Sequence, residues 1–252
     1  MRIEAPAPGV VPGLRRLWKT AFGDTDAFLD AFFSTAFHPG RCLCAMEGDT
    51  PVGALYWFDI SCDGQPMAYL YALATDPEFR GRGIAHALMD HIHTLLARAG
   101  YAGAILVPGS ESLFSLYAGM GYRVCSSVSR ITAERGESSV PLRPLTPGEY
   151  GEARRRLLPA GGVIQEGVCL DFLQAQGALL VGDGFLAALR REDDRLIAME
   201  LLGDTEQAAG IVAALDAREG VFQIPGKEIP YAMFLPLQAG AAAPRYFGLA
   251  FD

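Results

Sequence analysis

Residues 67–100 restrict the fold more than any other part of the chain. Residues 67–75 read Met-Ala-Tyr-Leu-Tyr-Ala-Leu-Ala-Thr, an apolar and aromatic run that predicts a buried strand. Asp76-Pro77 ends it, because proline has no N–H for a central ladder. A helix is predicted over Ile84–Arg98, where Ile84, Ala85, Leu88, Met89, Ile92, Leu95 and Leu96 recur at helical spacing, and Gly100 stops it. Between strand and helix stands Arg80-Gly81-Arg82-Gly83. Glycines there let the backbone turn tightly and approach a ligand. The first helical N–H groups lack internal partners and carry the positive end of the dipole, so the corner suits a phosphate or pyrophosphate. The plainer alternative is a corner whose glycines serve packing alone. The corner is neither a Walker loop, lacking Gly-Lys-Ser/Thr, nor a dinucleotide fingerprint, since His86 stands at the third glycine position.

Downstream, residues 102–107 form a short apolar strand closed by Pro108-Gly109, and a short helix runs from Ser110 through Ala118. Then comes Tyr117-Ala118-Gly119-Met120-Gly121-Tyr122, leading into a strand over 122–132. Arg80-x-x-Gly83-x-Ala85 resembles the acyl-CoA motif of the GNAT acetyltransferases, Gln/Arg-x-x-Gly-x-Gly/Ala. Residues 117–122 resemble that family's second signature, Tyr-x-x-x-Gly-Phe/Tyr, and follow the first in the family's order and at about its spacing. The resemblance implies an α+β fold for residues 1–135: an α/β/α sandwich with a mixed, mostly antiparallel sheet flanked by helices.

The remaining elements fit that outline. A strand at 2–4 precedes a helix at 10–22 and a second helix at 26–37, capped by Asp24 or Thr25. Phe28, Phe32, Phe33 and Phe37 on that second helix are core, or by the resemblance partly line an acceptor pocket. Strands at 41–47 and 52–62 are joined by a turn at 48–51. Residues 133–140 are polar and read as a linker or hairpin tip. The element order then starts again: Pro147-Gly148 echoes Pro8-Gly9, strands follow at 178–181, 184–191 and 195–202, then a helix to 217 and strands at 221–224 and 232–237. Where the glycine turn would recur, the chain has Gly203-Asp204-Thr205-Glu206, and two acids repel a phosphate. Residues 136–252 therefore read as a second, smaller, degenerate GNAT-like α+β domain without acyl-CoA, a different α+β domain being the alternative.

The resemblance implies an N-acetyltransferase in which a primary amine of a small molecule or peptide attacks the thioester of acetyl-CoA, a co-substrate. Backbone groups of Leu73, Ala74 and Thr75 then flank the pantetheine arm. Arg80, Gly81, Arg82, Gly83, Ile84 and Ala85 hold the pyrophosphate. Tyr117 protonates the leaving thiolate, its alternative being a core tyrosine. The family's glutamate on the strand before the turn is missing, since 67–75 holds no acid. Asp59 is a base candidate, or a solvated strand-end residue. Tyr69 or Tyr71 offers relay through water. The terminal carboxylate of Asp252 is a third option, on an apolar tail, 246–251, too hydrophobic to leave in water. The competing reading is a non-catalytic acyl-CoA-binding or interaction protein.

Composition narrows the partners. Net charge is −8 with no basic stripe, which argues against nucleic acid. No run approaches the roughly 20 apolar residues of a membrane span, and Met1-Arg2-Ile3-Glu4 opens no signal peptide. Five cysteines without zinc-finger spacing suggest reduced thiols and a cytoplasmic location. His86, Asp90 and His93 fall on one helix face opposite the apolar stripe. That face is expected to be solvated, with no metal. Monomer and homodimer both stay open.

Overall fold

The computed structural model describes residues 1–251. The chain forms two compact units, and neither is a single run of sequence. The first comprises Met1–Leu106, Glu111–Arg123 and Phe234–Ala243; the second comprises Val107–Ser110, Val124–Met233 and Pro244–Asp252. The sequence-based division after residue 135 falls inside the second of these.

In the first unit, β1 (Arg2–Glu4), β2 (Cys42–Glu47), β3 (Thr50–Cys62) and β4 (Gln65–Thr75) pair antiparallel in that order. β4 then pairs parallel with β5 (Gly103–Leu106). The parallel connection needs a crossover, which α3 (Ile84–Arg98) supplies. Gly53 of β3 sits so close to Ile84 and Leu88 of α3 that a Cβ there would lie 2.6 Å from the Ile84 side chain. The segment Phe234–Ala243 returns to close this unit: the N–H groups of Leu237 and Gln238 both bond to the carbonyl of Ala102. Sequence reading did not anticipate that return.

The α1 helix (Val11–Phe22) packs against β3 and β4 through Leu14, Leu17 and Trp18. The expected single helix over 26–37 is broken in two. α2 (Asp26–Ala31) is capped by Thr25 and passes into a π-helical turn over Phe32–Ala36, closed by Phe37 N–H on the Phe32 carbonyl. Ser34 and Thr35 bond back to the carbonyls of Asp30 and Ala31, a competition for backbone acceptors that widens helices. The aromatic stripe is core at Phe32, which lies 4.5 Å from Trp18 and 5.2 Å from Tyr56 between ring centroids.

The second unit repeats the plan. β8 (Ala178–Gly182), β9 (Phe185–Glu192) and β10 (Arg195–Gly203) pair antiparallel, and β10 pairs parallel with β11 (Glu219–Pro225). β6 (Arg123–Glu134) runs antiparallel to β11, and β7 (Arg143–Pro144) edges β8. α5 (Pro147–Leu157) starts on a capping box between Thr146 and Glu149. α6 (Val168–Gln176) was not read from the sequence, which has no side-chain cap at its start, only Gly167. The crossover helix α7 (Ala208–Ala214) is shorter than expected, and β12 spans Ile229–Pro236.

Both fold class and mixed sheet agree with the α+β expectation. No helix among the described residues is long and apolar enough to cross a membrane. Four of the five cysteines are buried and all are free thiols.

The second unit buries an ion pair. Arg154 on α5 meets Glu200 on β10 with two parallel bonds of 2.6 and 2.8 Å, and the Tyr246 hydroxyl donates to the same carboxylate at 3.0 Å. Arg154 also donates to the Val163 carbonyl. Removing one partner strands a charge in a low-dielectric interior, so Arg154→Met is expected to cost about 3–5 kcal/mol. Arg154→Met combined with Glu200→Leu should recover much of that loss. Hydrogen exchange of the β10 amides in the two variants checks the pair of outcomes.

Candidate functional site

The parallel ladder between β4 and β5 is short. It pairs Met67 with Gly103, Ala68 with Ala104 and Tyr69 with Ile105, and then stops. β5 ends at Leu106, since Pro108 lacks an N–H to extend it. β4 continues to Thr75 on its other side, still paired with β3. Among the described residues, the ladder between β4 and β5 does not continue beyond Tyr69. A strand edge beyond the end of its ladder offers a row of N–H and C=O groups to a ligand that can pair like a strand.

A bulge sits on β4 beyond that point. Tyr71 pairs with Tyr56 and Ala74 with Ala54, so Ala72 and Leu73 together oppose one residue of β3. Ala72 has φ +51°, a backbone region costly for a residue with a Cβ. A bulge leaves its extra residue out of the ladder and turns backbone groups away from the neighbouring strand. Of the expected backbone contacts, Leu73 is on the bulge, while Ala74 and Thr75 keep their β3 partners. Ala72 was missed, because an alanine within an apolar run carries no mark of strain.

At the end of β4, the Asp76 carboxylate accepts from Glu78 N–H and the chain makes a 3₁₀ turn over Pro77–Phe79. Gly81 and Gly83 follow at φ +76° and +75°, with open space where a Cβ would stand. Conformation, not crowding, requires glycine at these two positions. Gly83 caps α3 without any side-chain bond, and the first helical turn holds no acid. Ala87 N–H is bonded to the Gly83 carbonyl, so the N–H groups of Ile84 and Ala85 lie ahead of the helical ladder. Arg82 lies over the Phe79 ring at 4.7 Å, which fixes its guanidinium beside the turn. Arg80 is exposed. Chain continuity alone thus brings the bulge, the glycine turn and the α3 N-terminus together.

Tyr117 lies on α4 (Glu111–Gly119) and is 8% exposed. Burial pushes its hydroxyl up to about 12, so it is a neutral phenol throughout the physiological range. Its ring meets Tyr122 edge-on at 6.0 Å, and the Tyr122 hydroxyl lies 2.8 Å from Nε2 of His93 on α3. The expected solvated face of α3 is thereby corrected at His93, which is half-buried against Tyr122. His86 and Asp90 are exposed as expected. Among the described residues no cluster of three potential ligands could hold a metal.

Asp59 belongs to a different cluster. It accepts from Arg41 through Nε at 2.9 Å and through Nη2, and from the Tyr101 hydroxyl at 2.6 Å. Burial first, then the bond to Asp59, pushes Tyr101 up to about 12. Asp59 is paired with Ala68, four residues before Ala72, which is about 13 Å along a strand. It stands where β4 and β5 are still joined, not where they part. Tyr69 and Tyr71 are buried among rings, Tyr71 against Trp18 at 5.7 Å. Asp252 lies outside the described residues.

The second unit has the same parting without the same opening. β10 and β11 pair from Arg195 with Glu219 to Ala198 with Phe222 and then separate, with a bulge at Met199. The chain's own tail is seated there. Gln223 Nε2 donates both to Met199 O at 3.0 Å and to Gly248 O at 2.8 Å. A Cβ at Gly248 would lie 2.1 Å from Glu200 Oε1. Further bonds tie Phe247 to Ser126 and Leu249 to Gln165, and Phe251 packs on Phe172. Of the acids after Gly203, both Asp204 and Glu206 are exposed, and Asp204 caps the turn by accepting from Glu206 N–H and from Gln207.

The titration of Tyr117 has a stability consequence. Its pKa is higher folded than unfolded, so its contribution is complete below pH 10 and is lost as pH rises to about 12. A two-unit shift is worth roughly 2–3 kcal/mol. Tyr117→Phe should remove that part of the alkaline decline, leaving the parts due to Tyr56, Tyr101 and Tyr122. Urea unfolding of the first unit at pH 9 and 11.5 measures the difference.

Residues 3–125 match the model of the acetyltransferase (GNAT) domain. No curated protein sequence matches the chain. Among solved structures, the GCN5-related N-acetyltransferase from Kribbella flavida is 19% identical with a TM-score of 0.72, over 95% of this chain and 72% of that one. The putative acetyltransferase from Pyrococcus horikoshii is 16% identical with a TM-score of 0.67, over 98% and 93%. A tandem GNAT protein from the clavulanic acid biosynthesis pathway is 13% identical with a TM-score of 0.59, over 95% and 99%. At these identities the likeness is one of fold. The parted strands, the glycine turn and the tyrosine signature all lie in or beside the matched segment, and residues 3–125 are an acetyltransferase (GNAT) domain.

Proposed function

We propose that this protein transfers an acetyl group from acetyl-CoA, bound as co-substrate in the first unit, to a primary amine. The observation that carries the reading is the stretch of β4 from Leu70 to Thr75, beyond the end of the β5 ladder and running directly into the Gly81–Gly83 turn. A pantetheine arm has amides that pair with such an edge, and a pyrophosphate suits the N–H groups of the turn and the α3 N-terminus.

The amine nitrogen attacks the thioester carbon, and the carbonyl oxygen gains charge. A bulge N–H at Ala72 or Leu73 is the donor best placed to hold that oxyanion, since bulged residues are left out of the β3 ladder. The C–S bond then breaks and the electron pair goes to sulfur. Tyr117 faces the thiolate as a hydrogen-bond donor. An ordinary thiol titrates near 8.5. Full transfer from a phenol at about 12 is therefore uphill, and donation to the developing charge is what the side chain supplies. The amine gives up one proton, and the thiol gains one.

β4 carries no acid, and Asp59 is committed to Arg41 and Tyr101. In this reading the acceptor reacts as free amine, its proton passing to solvent. The rate should rise with pH toward the acceptor's own pKa, and Asp59→Asn should leave turnover within about twofold of wild type. A larger loss would return Asp59 to the reaction. The acceptor is a small molecule or a peptide, and the second unit takes no acyl-CoA because its tail fills the corresponding place.

Calorimetric titration of acetyl-CoA tests the reading. One equivalent should bind per chain, and Gly83→Glu should abolish binding by adding bulk, charge and backbone strain at the turn. Tyr117→Phe should bind normally and lose about 10²-fold in kcat. Two equivalents would overturn the account of the second unit. Equal binding by wild type and Gly83→Glu would overturn the site. Binding without turnover of any amine would leave an acyl-CoA-binding protein.

A further inference from the structure

Tyr122 is fully buried, and a phenol in such a place needs a partner for its hydroxyl. Its partner is His93 Nε2 at 2.8 Å, from the middle of α3. The Tyr122 ring lies edge-on to Tyr117, and its N–H bonds to the Tyr117 carbonyl at 3.1 Å. Met120 N–H bonds to that same carbonyl at 3.0 Å. The Tyr117 backbone is thus held by the turn that follows α4, and its ring by a neighbour that is itself tied to α3. We infer that His93 is a positioning residue: through Tyr122 it fixes the Tyr117 ring relative to the helix whose N-terminus forms the phosphate turn.

The chemistry of the pair supports one arrangement. Burial lowers His93 below the ordinary imidazole value, against an opposing pull from Asp90 one turn earlier on α3. Burial raises Tyr122, and the neighbouring Tyr117 raises it further. At neutral pH a neutral imidazole therefore accepts from the Tyr122 O–H, which places the imidazole proton on Nδ1. Arg123 is the other charged group at this point, and it donates to the Tyr122 carbonyl and not to the ring. A phenylalanine at 122 would satisfy the packing alone. Tyrosine there, matched by a histidine at hydrogen-bond distance, adds a directional constraint that packing lacks.

The inference rests on Tyr117 as the donor to the thiolate, and its test separates the two. His93→Leu and Tyr122→Phe should each lower kcat about tenfold, with KM for acetyl-CoA unchanged, because a loosened donor is misaimed in the transition state and not in binding. His93→Gln, which keeps a hydrogen-bonding group, should restore kcat to within about threefold. The double variant His93→Leu/Tyr122→Phe should regain thermal stability, since an apolar pair leaves no buried group unpartnered, while its kcat stays low. Wild-type kcat in the double variant would reduce the pair to packing and overturn the proposal. Tyr117 can also be followed without turnover, through the ring-carbon NMR titration of its phenol. That titration should move down from about 12 in His93→Leu as the ring loosens toward water. An unmoved titration would overturn the positioning role whether or not the protein acetylates an amine.

Discussion

The structure depends on how long two parallel strands stay together. β4 and β5 share three residue pairs, and β4 then runs on beyond the end of that ladder, still paired with β3 on its other side. A buried sheet edge is costly unless something satisfies it. Here that stretch of β4 is continuous with a turn whose two glycines adopt left-handed backbone and whose helix begins without a cap or an acid. Each feature alone is ordinary. Lying in succession along one strand, they are the features on which the proposed acyl-CoA site rests.

The two units show what separates a fold from a site. Both contain an antiparallel run, a bulge, a parting parallel pair and a crossover helix. In the second unit, Gln223 spans Met199 and Gly248, and Glu200 occupies the bulge region with a buried charge held by Arg154. The geometry that leaves an opening in one unit is used in the other to anchor the chain's last residues. That use also explains the glycine at 248, since a side chain there would collide with the Glu200 carboxylate.

Burial sets the chemistry available to the tyrosines. Tyr117 and Tyr122 keep their protons far above neutral pH because an anion would be poorly solvated where they sit. That suits a group that donates a hydrogen bond to a leaving thiolate and does not suit a base. The tyrosines of β4 are equally enclosed, by Trp18, Phe32 and Phe58. Asp59, paired across the ladder with Ala68 of β4, spends its carboxylate on Arg41 and Tyr101.

The sequence by itself determined the parts that depend on local chemistry. A continuous apolar and aromatic run marked β4, helical apolar spacing marked α3, Asp-Pro marked the strand end, and Gly81 and Gly83 marked a turn that only glycine forms easily. The apolar tail was legible as buried because Tyr246 to Phe251 could not remain in water. Tertiary structure decided everything that depends on distant partners. The bulge at Ala72 arises from register against β3, which no residue type announces. The π-helical turn over Phe32–Ala36, where Ser34 and Thr35 bond back into the helix, interrupts a pattern that reads as one helix, and α6 begins without a side-chain cap. His93 reads as a surface residue by periodicity, yet Tyr122, 29 positions later, comes to lie against it. Asp59 reads as a free carboxylate until Arg41 and Tyr101 close on it. Local patterns specify which segments form strands, turns and helices; only the packed fold fixes which of their polar groups are already committed and which face an opening.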